Sequence, residues 1–145
     1  MAEIEAGPDD TFYTKYDMKP LYNRRWLWYD LAMATGANIA ATIMNDPTLA
    51  RFRAALAETY GARIERVVLY GSRARGEARS DSDYDVAVFL NATEGLWRES
   101  GRRAEIETDI FFDTGAVINA LPFPAAAYAE RTPLMYELRR DGIDL

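Results

Sequence analysis

The sequence predicts an α+β fold, α/β-like in its order, in which a small mixed β-sheet is flanked by helices. Three observations predict it. Two apolar, β-branched segments, Ile64 to Tyr70 and Asp83 to Leu90, read as strands with a Gly-Ser pair between them. Helical patterns bracket them, Leu49, Phe52, Leu56 and Tyr60 before and residues 94–113 after. The chain has 145 residues, 49% of them hydrophobic, which suits one domain with its own core.

Composition narrows the chemistry. The formal net charge is −6, and there is neither Cys nor His. An acidic balance opposes non-specific binding to nucleic acid, whose phosphates need a basic surface. Without Cys there is no disulfide framework or thiolate metal site, and without His no Ser-His-Asp catalysis and little zinc chemistry. Carboxylates are left as the reactive groups. The N-terminal MAEIEAGPDD lacks the basic flank and apolar run of a secretory signal. The longest weakly polar run, Leu31 to Met44, falls short of the roughly 20 apolar residues that span a bilayer. A soluble, cytoplasmic protein is expected.

Taken in order, residues 1–19, broken by Pro8, Asp9 and Asp10, are expected to be loosely ordered. Residues 20–145 are expected to form a single domain with an added N-terminal aromatic helix at 20–45. Tyr22, Trp26 and Tyr29 lie at helical spacing there. Two readings stay open for them: a helix buried against the sheet, or, with Arg24 and Arg25 beside the rings, a partner-binding face. Asp46 is placed to cap the next helix, with Pro47 at its first position and Gly61 at its end. That helix feeds the strand Ile64 to Tyr70, which stops at Gly71-Ser72. Phosphate contact is expected of Arg73, next to the turn. Arg75 and Arg79 stay open between that role and balancing Glu77, Asp81 and Asp83. Asp81 reads as a turn cap.

Beyond the second strand, residues 94–113 read as a helix weakened at Gly101. A strand over Ala116 to Leu121 puts Val117, Asn119 and Leu121 on one face, and Pro122 and Pro124 are expected to close it. A short Ala-rich helix from Ala125 follows. A last helix, Leu134 to Arg140, starts at Thr132-Pro133 and stops at Gly142.

The chemistry sits in LYGSRARGEARSDSDYDVAVFL, Leu69 to Leu90. Side chains alternate across a strand, so Asp83 and Asp85 stand on one face with Ala87 and Phe89. Two neighbouring carboxylates repel unless a positive charge lies between them, and their oxygens are the hard ligands Mg²⁺ prefers. Gly71 lets the backbone approach a bound group, while the Ser72 hydroxyl and the following amides can donate to phosphate oxygens. A short helix starting near Arg73 would add partial positive charge there. Together these parts make a site for a metal-bound nucleoside triphosphate.

With Gly71-Ser72, ten residues, then Asp83-Tyr84-Asp85, the sequence resembles the nucleotidyltransferase superfamily, above all its minimal prokaryotic members. The intervening SRARGEARSDSD and the ending TPLMYELRRDGIDL are similar to theirs as well, so the resemblance covers about Leu49 to Leu145. It implies a nucleotidyltransferase fold with the Asp83/Asp85 strand and a third site strand side by side. It implies Mg²⁺ or Mn²⁺ held by Asp83 and Asp85, and ATP as the substrate. It implies transfer of AMP to a hydroxyl acceptor, and an antitoxin-like role toward a HEPN-type helical toxin partner. A third carboxylate is implied on the later strand, and Asn119 occupies its position. An amide lends a carbonyl oxygen but takes no proton. The resemblance therefore leaves two readings: an active transferase with Asp83, Asp85 and Asn119 in its catalytic group, or a weakened enzyme that keeps nucleotide and partner binding.

Overall fold

The computed structural model describes residues 36–92 and 94–145. The aromatic rings expected on a helix at 20–45, and the segment 1–19, lie outside them. Asn38–Leu145 pack as one unit. Its elements are α1 (described over 36–44), α2 (Pro47–Tyr60), β1 (Ile64–Tyr70), the single-turn α3 (Gly71–Ala74), β2 (Tyr84–Leu90), α4 (Leu96–Thr114), β3 (Ile118–Pro124), α5 (Pro133–Asp141) and the short β4 (Ile143–Asp144). The fold class is α+β, as the sequence predicts.

Local chemistry accounts for the helix starts. Asp46 Oδ1 accepts from Thr48 N at 2.8 Å and Leu49 N at 3.2 Å, and Pro47 follows where its missing N–H is harmless. Thr132 caps α5 in the same way, through Met135 N at 3.2 Å. Gly115, in the left-handed region, ends α4.

The four strands lie in the order β3-β2-β1-β4. β1 runs antiparallel to β2 and to β4, whereas β2 and β3 run parallel. A parallel pair needs a crossover, and α4 supplies it. β2 is central and buried along nearly its whole length, as its apolar sequence requires. Its Tyr84, Val86, Val88 and Leu90 face a core built with Leu49, Phe52 and Leu56 of α2 and Ile106 and Ile110 of α4. On the other face Ala87 and Phe89 pack with Val68, Ala127, Met135 and Leu138. Helices therefore cover both faces. No helix among the described residues is long and apolar enough to cross a membrane.

Besides shifts of one or two residues at helix ends, three elements differ from the sequence expectation. β2 begins at Tyr84, so Asp83 is the last residue of the preceding loop. β3 begins at Ile118 and runs through Pro122 and Pro124 instead of closing before them. It is an edge strand bonded on one side only, and proline's missing N–H is tolerated there. The Ala-rich stretch Ala125–Ala129 is a 3₁₀ turn.

The outer edge of β3 is covered by its own crossover helix. Arg103 Nη1 donates to Ala120 O at 2.6 Å, and Glu107 Oε1 accepts from Ala120 N at 2.8 Å. One helical turn of α4 thus satisfies both backbone groups that an edge strand leaves open. Burial raises the Glu107 carboxyl above the ordinary range, against the Ala120 N–H and Arg103, which lower it.

Candidate functional site

The end of β1 and the start of β2 meet because the two strands are antiparallel, with Tyr70 opposite Asp85 in register. β3 brings Asn119 opposite Asp85 from the other side. Gly71, Asp83, Asp85 and Asn119 therefore converge at one end of the sheet although they span about a third of the chain. Asp83 and Asn119 are exposed, and Asp85 is half-buried.

Two contacts define the geometry. Gly71 has φ +71°, and a Cβ built there would lie 2.6 Å from Asp85 Oδ2. The positive φ favours glycine, since other residues rarely adopt that backbone, and a side chain there would push the Asp85 carboxylate aside. The Gly-Ser turn and the Asp85 carboxylate are thus in direct apposition. The second contact is Asn119 Nδ2 donating to Asp83 Oδ2 at 3.1 Å.

Ser72 is the second residue of the single turn α3 beside this cluster and is half-buried. The helix starts at Gly71, two residues before the expected Arg73, and buried Ala74 anchors it to the core. Arg73 is turned toward the Tyr84 side of β2, away from the carboxylates. Its Nε and Nη2 donate to Ser82 O at 3.1 and 2.6 Å, and its guanidinium lies 3.7 Å from the centroid of the Tyr84 ring. Arg75 bonds Glu77 and Glu137, each at 2.9 Å. Arg79 takes a turn role through its backbone, its N–H donating to Ser82 Oγ at 2.8 Å. Asp81 lies exposed in the turn before the strand.

Tyr84, between the two aspartates in sequence, anchors the strand that carries them. Its hydroxyl donates to Asp46 Oδ2 at 2.9 Å, while Asp46 Oδ1 caps α2. Burial raises the Tyr84 hydroxyl, followed by its bond to Asp46. Arg73, Tyr84 and Asp46 thus link the loop after Gly71-Ser72 to the helix beneath the sheet. Sequence reasoning missed this chain because Asp46 reads fully as a cap, and nothing local shows that its second oxygen is used. Tyr70 shares the Asp85 face, its hydroxyl raised by burial, then by Asp85 and Glu137.

Among the described residues no group of three or more His, Cys, Asp or Glu side chains is placed to hold a metal ion. Among the described residues, the Asp83 and Asp85 carboxylates are the acidic groups that pairing brings to Asn119 at this end of the sheet.

A family model described as nucleotidyltransferase domain matches residues 49–118, ending one residue before Asn119. Among solved structures, the chain is similar to one described as a toxin-antitoxin with AMP-PNP, with 17% identity, a TM-score of 0.47, and coverage of 64% of this chain and 68% of that chain. A mutant of the toxin-antitoxin MntA-HpeT gives 16% identity, a TM-score of 0.45, and coverage of 61% and 65%. A second mutant of that pair gives 19%, 0.44, 62% and 65%. The chain spans about two thirds of each of these chains. No curated protein matches it. The nucleotidyltransferase domain model thus spans the chain from α2 to the first residue of β3, a little under half of its length.

Proposed function

We propose that this protein is a metal-dependent nucleotidyltransferase that moves AMP from ATP to a hydroxyl acceptor. The observation that carries this reading is the apposition of Gly71 and Asp85: the turn suited to phosphate and the carboxylate suited to a cation share one space. The donor set fits Mg²⁺ or Mn²⁺. Such cations bind through one or two carboxylates plus substrate phosphates, and the missing Gly71 side chain keeps Asp85 Oδ2 open. Asp83 and Asp85 would hold the ion. When bound, it neutralises the triphosphate charge and the charge that develops as pyrophosphate leaves.

The chain's own residues do the rest by positioning. The Gly71-Ser72 turn offers backbone amides and the Ser72 hydroxyl to phosphate oxygens. Arg73, bound to Ser82 and stacked on Tyr84, fixes the loop between the turn and the carboxylates. The acceptor oxygen forms its bond to the α-phosphorus as the bond to pyrophosphate breaks, and the hydroxyl proton leaves to solvent, since the amide at 119 takes none. The resemblance supports a HEPN-type helical protein as partner and acceptor. A second reading, a weakened enzyme whose present role is binding nucleotide and partner, is favoured by Asn119, which donates to Asp83 where a carboxylate is expected.

ATP labelled at the α-phosphate, with Mg²⁺ and a lysate of the source cell, separates the two. The transferase reading predicts a labelled protein band with the parent and none with Asp83→Asn. No label with the parent, but label with Asn119→Asp, would establish the binding role instead.

A further inference from the structure

The cluster at the start of β2 contains a contact that three carboxylates would not make. Asn119 Nδ2 donates to Asp83 Oδ2 at 3.1 Å. Asp83 lies one residue before the strand begins, with its side chain exposed, between Ser82 O, which Arg73 holds, and the Tyr84 N–H, which donates to Val117 O at 2.9 Å. Asn119 is held in register opposite Asp85. Its strand is fixed on the outer side by Arg103 and Glu107 at the next residue, Ala120. Both residues thus sit on bonded backbone, and the bond between their exposed side chains sets the direction of Asp83 Oδ2.

This arrangement changes how the site meets a cation. A carboxylate at position 119 would add a third negative charge and two more oxygens, and would repel Asp83 until a cation arrived. An amide adds no charge and occupies one Asp83 oxygen through a hydrogen bond. With only two carboxylates among the described residues, one of them engaged, the site is a poor trap for a free divalent ion. A triphosphate supplies the oxygens and the negative charge that position 119 withholds.

We propose that Asn119 is a latch on Asp83, so that the site takes a divalent cation together with a nucleoside triphosphate and not ahead of it. The inference rests on the reading of this site as one for a metal-bound triphosphate. Asp83 Oδ2 exchanges its bond to the Asn119 amide for the cation only when the phosphate oxygens complete the ion's shell. Asn119 is thereby a positioning residue, acting on the cation through Asp83.

The test is Mn²⁺ binding followed by electron paramagnetic resonance, with and without a non-hydrolysable ATP analogue, in the parent, Asn119→Asp and Asn119→Ala. For the parent the expected result is weak binding of Mn²⁺ alone, tightened at least ~10-fold by the analogue, which is about 1.4 kcal/mol. Asn119→Asp should bind Mn²⁺ alone roughly 10- to 100-fold more tightly than the parent, the range that partners of metal ligands command. Asn119→Ala removes the latch without adding a donor and should bind Mn²⁺ alone several-fold more tightly. Parent binding of Mn²⁺ alone equal to that of Asn119→Asp would overturn the latch. So would weaker binding in Asn119→Ala, which would make the amide a ligand. No Mn²⁺ bound by any of the three even with the analogue would overturn the functional reading itself.

Discussion

Replacing Gly71 with alanine tests the apposition on which the site rests. Gly71 holds φ +71°, where an L-residue costs about 1–2 kcal/mol. The new Cβ would stand 2.6 Å from Asp85 Oδ2 and 3.5 Å from its Cγ. Non-bonded heavy atoms settle at about 3.5 Å, so the Asp85 oxygen must withdraw by roughly 0.9 Å. Turning the Asp85 carboxylate aside about its broad terminal torsion costs about 0.5–1 kcal/mol more. Gly71→Ala is therefore expected to lose about 1.5–3 kcal/mol of stability in urea unfolding. It is also expected to lose roughly 100-fold in transfer rate, because a misplacement near one ångström is of that consequence. The double variant Gly71→Ala/Asp85→Ala keeps the backbone cost and removes the clash. It should recover about 1 kcal/mol relative to additivity. Strict additivity would show that Gly71 and Asp85 do not touch, and the site as described would fall.

Three further outcomes follow from contacts around the site. Glu107→Ala leaves the Ala120 N–H without its partner and should cost about 1–3 kcal/mol, with exchange of that amide hydrogen accelerated at least ~10-fold; unchanged exchange would mean α4 does not protect the β3 edge. Buried Glu99 is penalised by desolvation, yet the Glu94 N–H and Arg63 prevail and hold its carboxyl below the ordinary 4.5. A lowered folded-state value means the stabilisation is present above the ordinary value and is lost as pH falls through the folded one. The Tm gap between the parent and Glu99→Gln should thus be widest near neutrality and vanish in acid, and a gap independent of pH would refute the assignment. Arg73→Lys should destabilise by about 1–2 kcal/mol, since lysine replaces neither the paired bonds to Ser82 O nor the stack on Tyr84, while the salt dependence of nucleotide binding stays as in the parent. A reduced salt dependence would return Arg73 to phosphate contact.

Much of the fold was legible because its signals are local. Asp46-Pro47 and Thr132-Pro133 announce helix starts through capping chemistry, and the apolar β1 segment matches its strand in full. β3 was misplaced because proline argues against a strand until an edge position excuses it, and edge position is a property of the sheet. Gly71, Asp83 and Asp85 could be grouped from spacing and alternation. Asn119 could not, since the parallel pairing that sets it beside Asp85 depends on the crossover through α4. Arg73 shows the limit in the other direction. Its place next to the turn suggests phosphate, and nothing local announces the Ser82 carbonyl and the Tyr84 ring that the return of the loop brings to it. The cover that Arg103 and Glu107 give to Ala120 has an i,i+4 spacing visible in sequence, yet no sequence pattern names the strand it protects.

The central claim is that the Gly71-Ser72 turn and the Asp83/Asp85 pair together hold a metal-bound triphosphate. Calorimetric titration with ATP, in Mg²⁺ and then in EDTA, tests it most directly when the parent is run beside Asp85→Asn. The account predicts binding by the parent in Mg²⁺, its loss in EDTA, and its loss in Asp85→Asn under both conditions. Equal ATP affinity in Mg²⁺ and EDTA, or in Asp85→Asn and the parent, would contradict it.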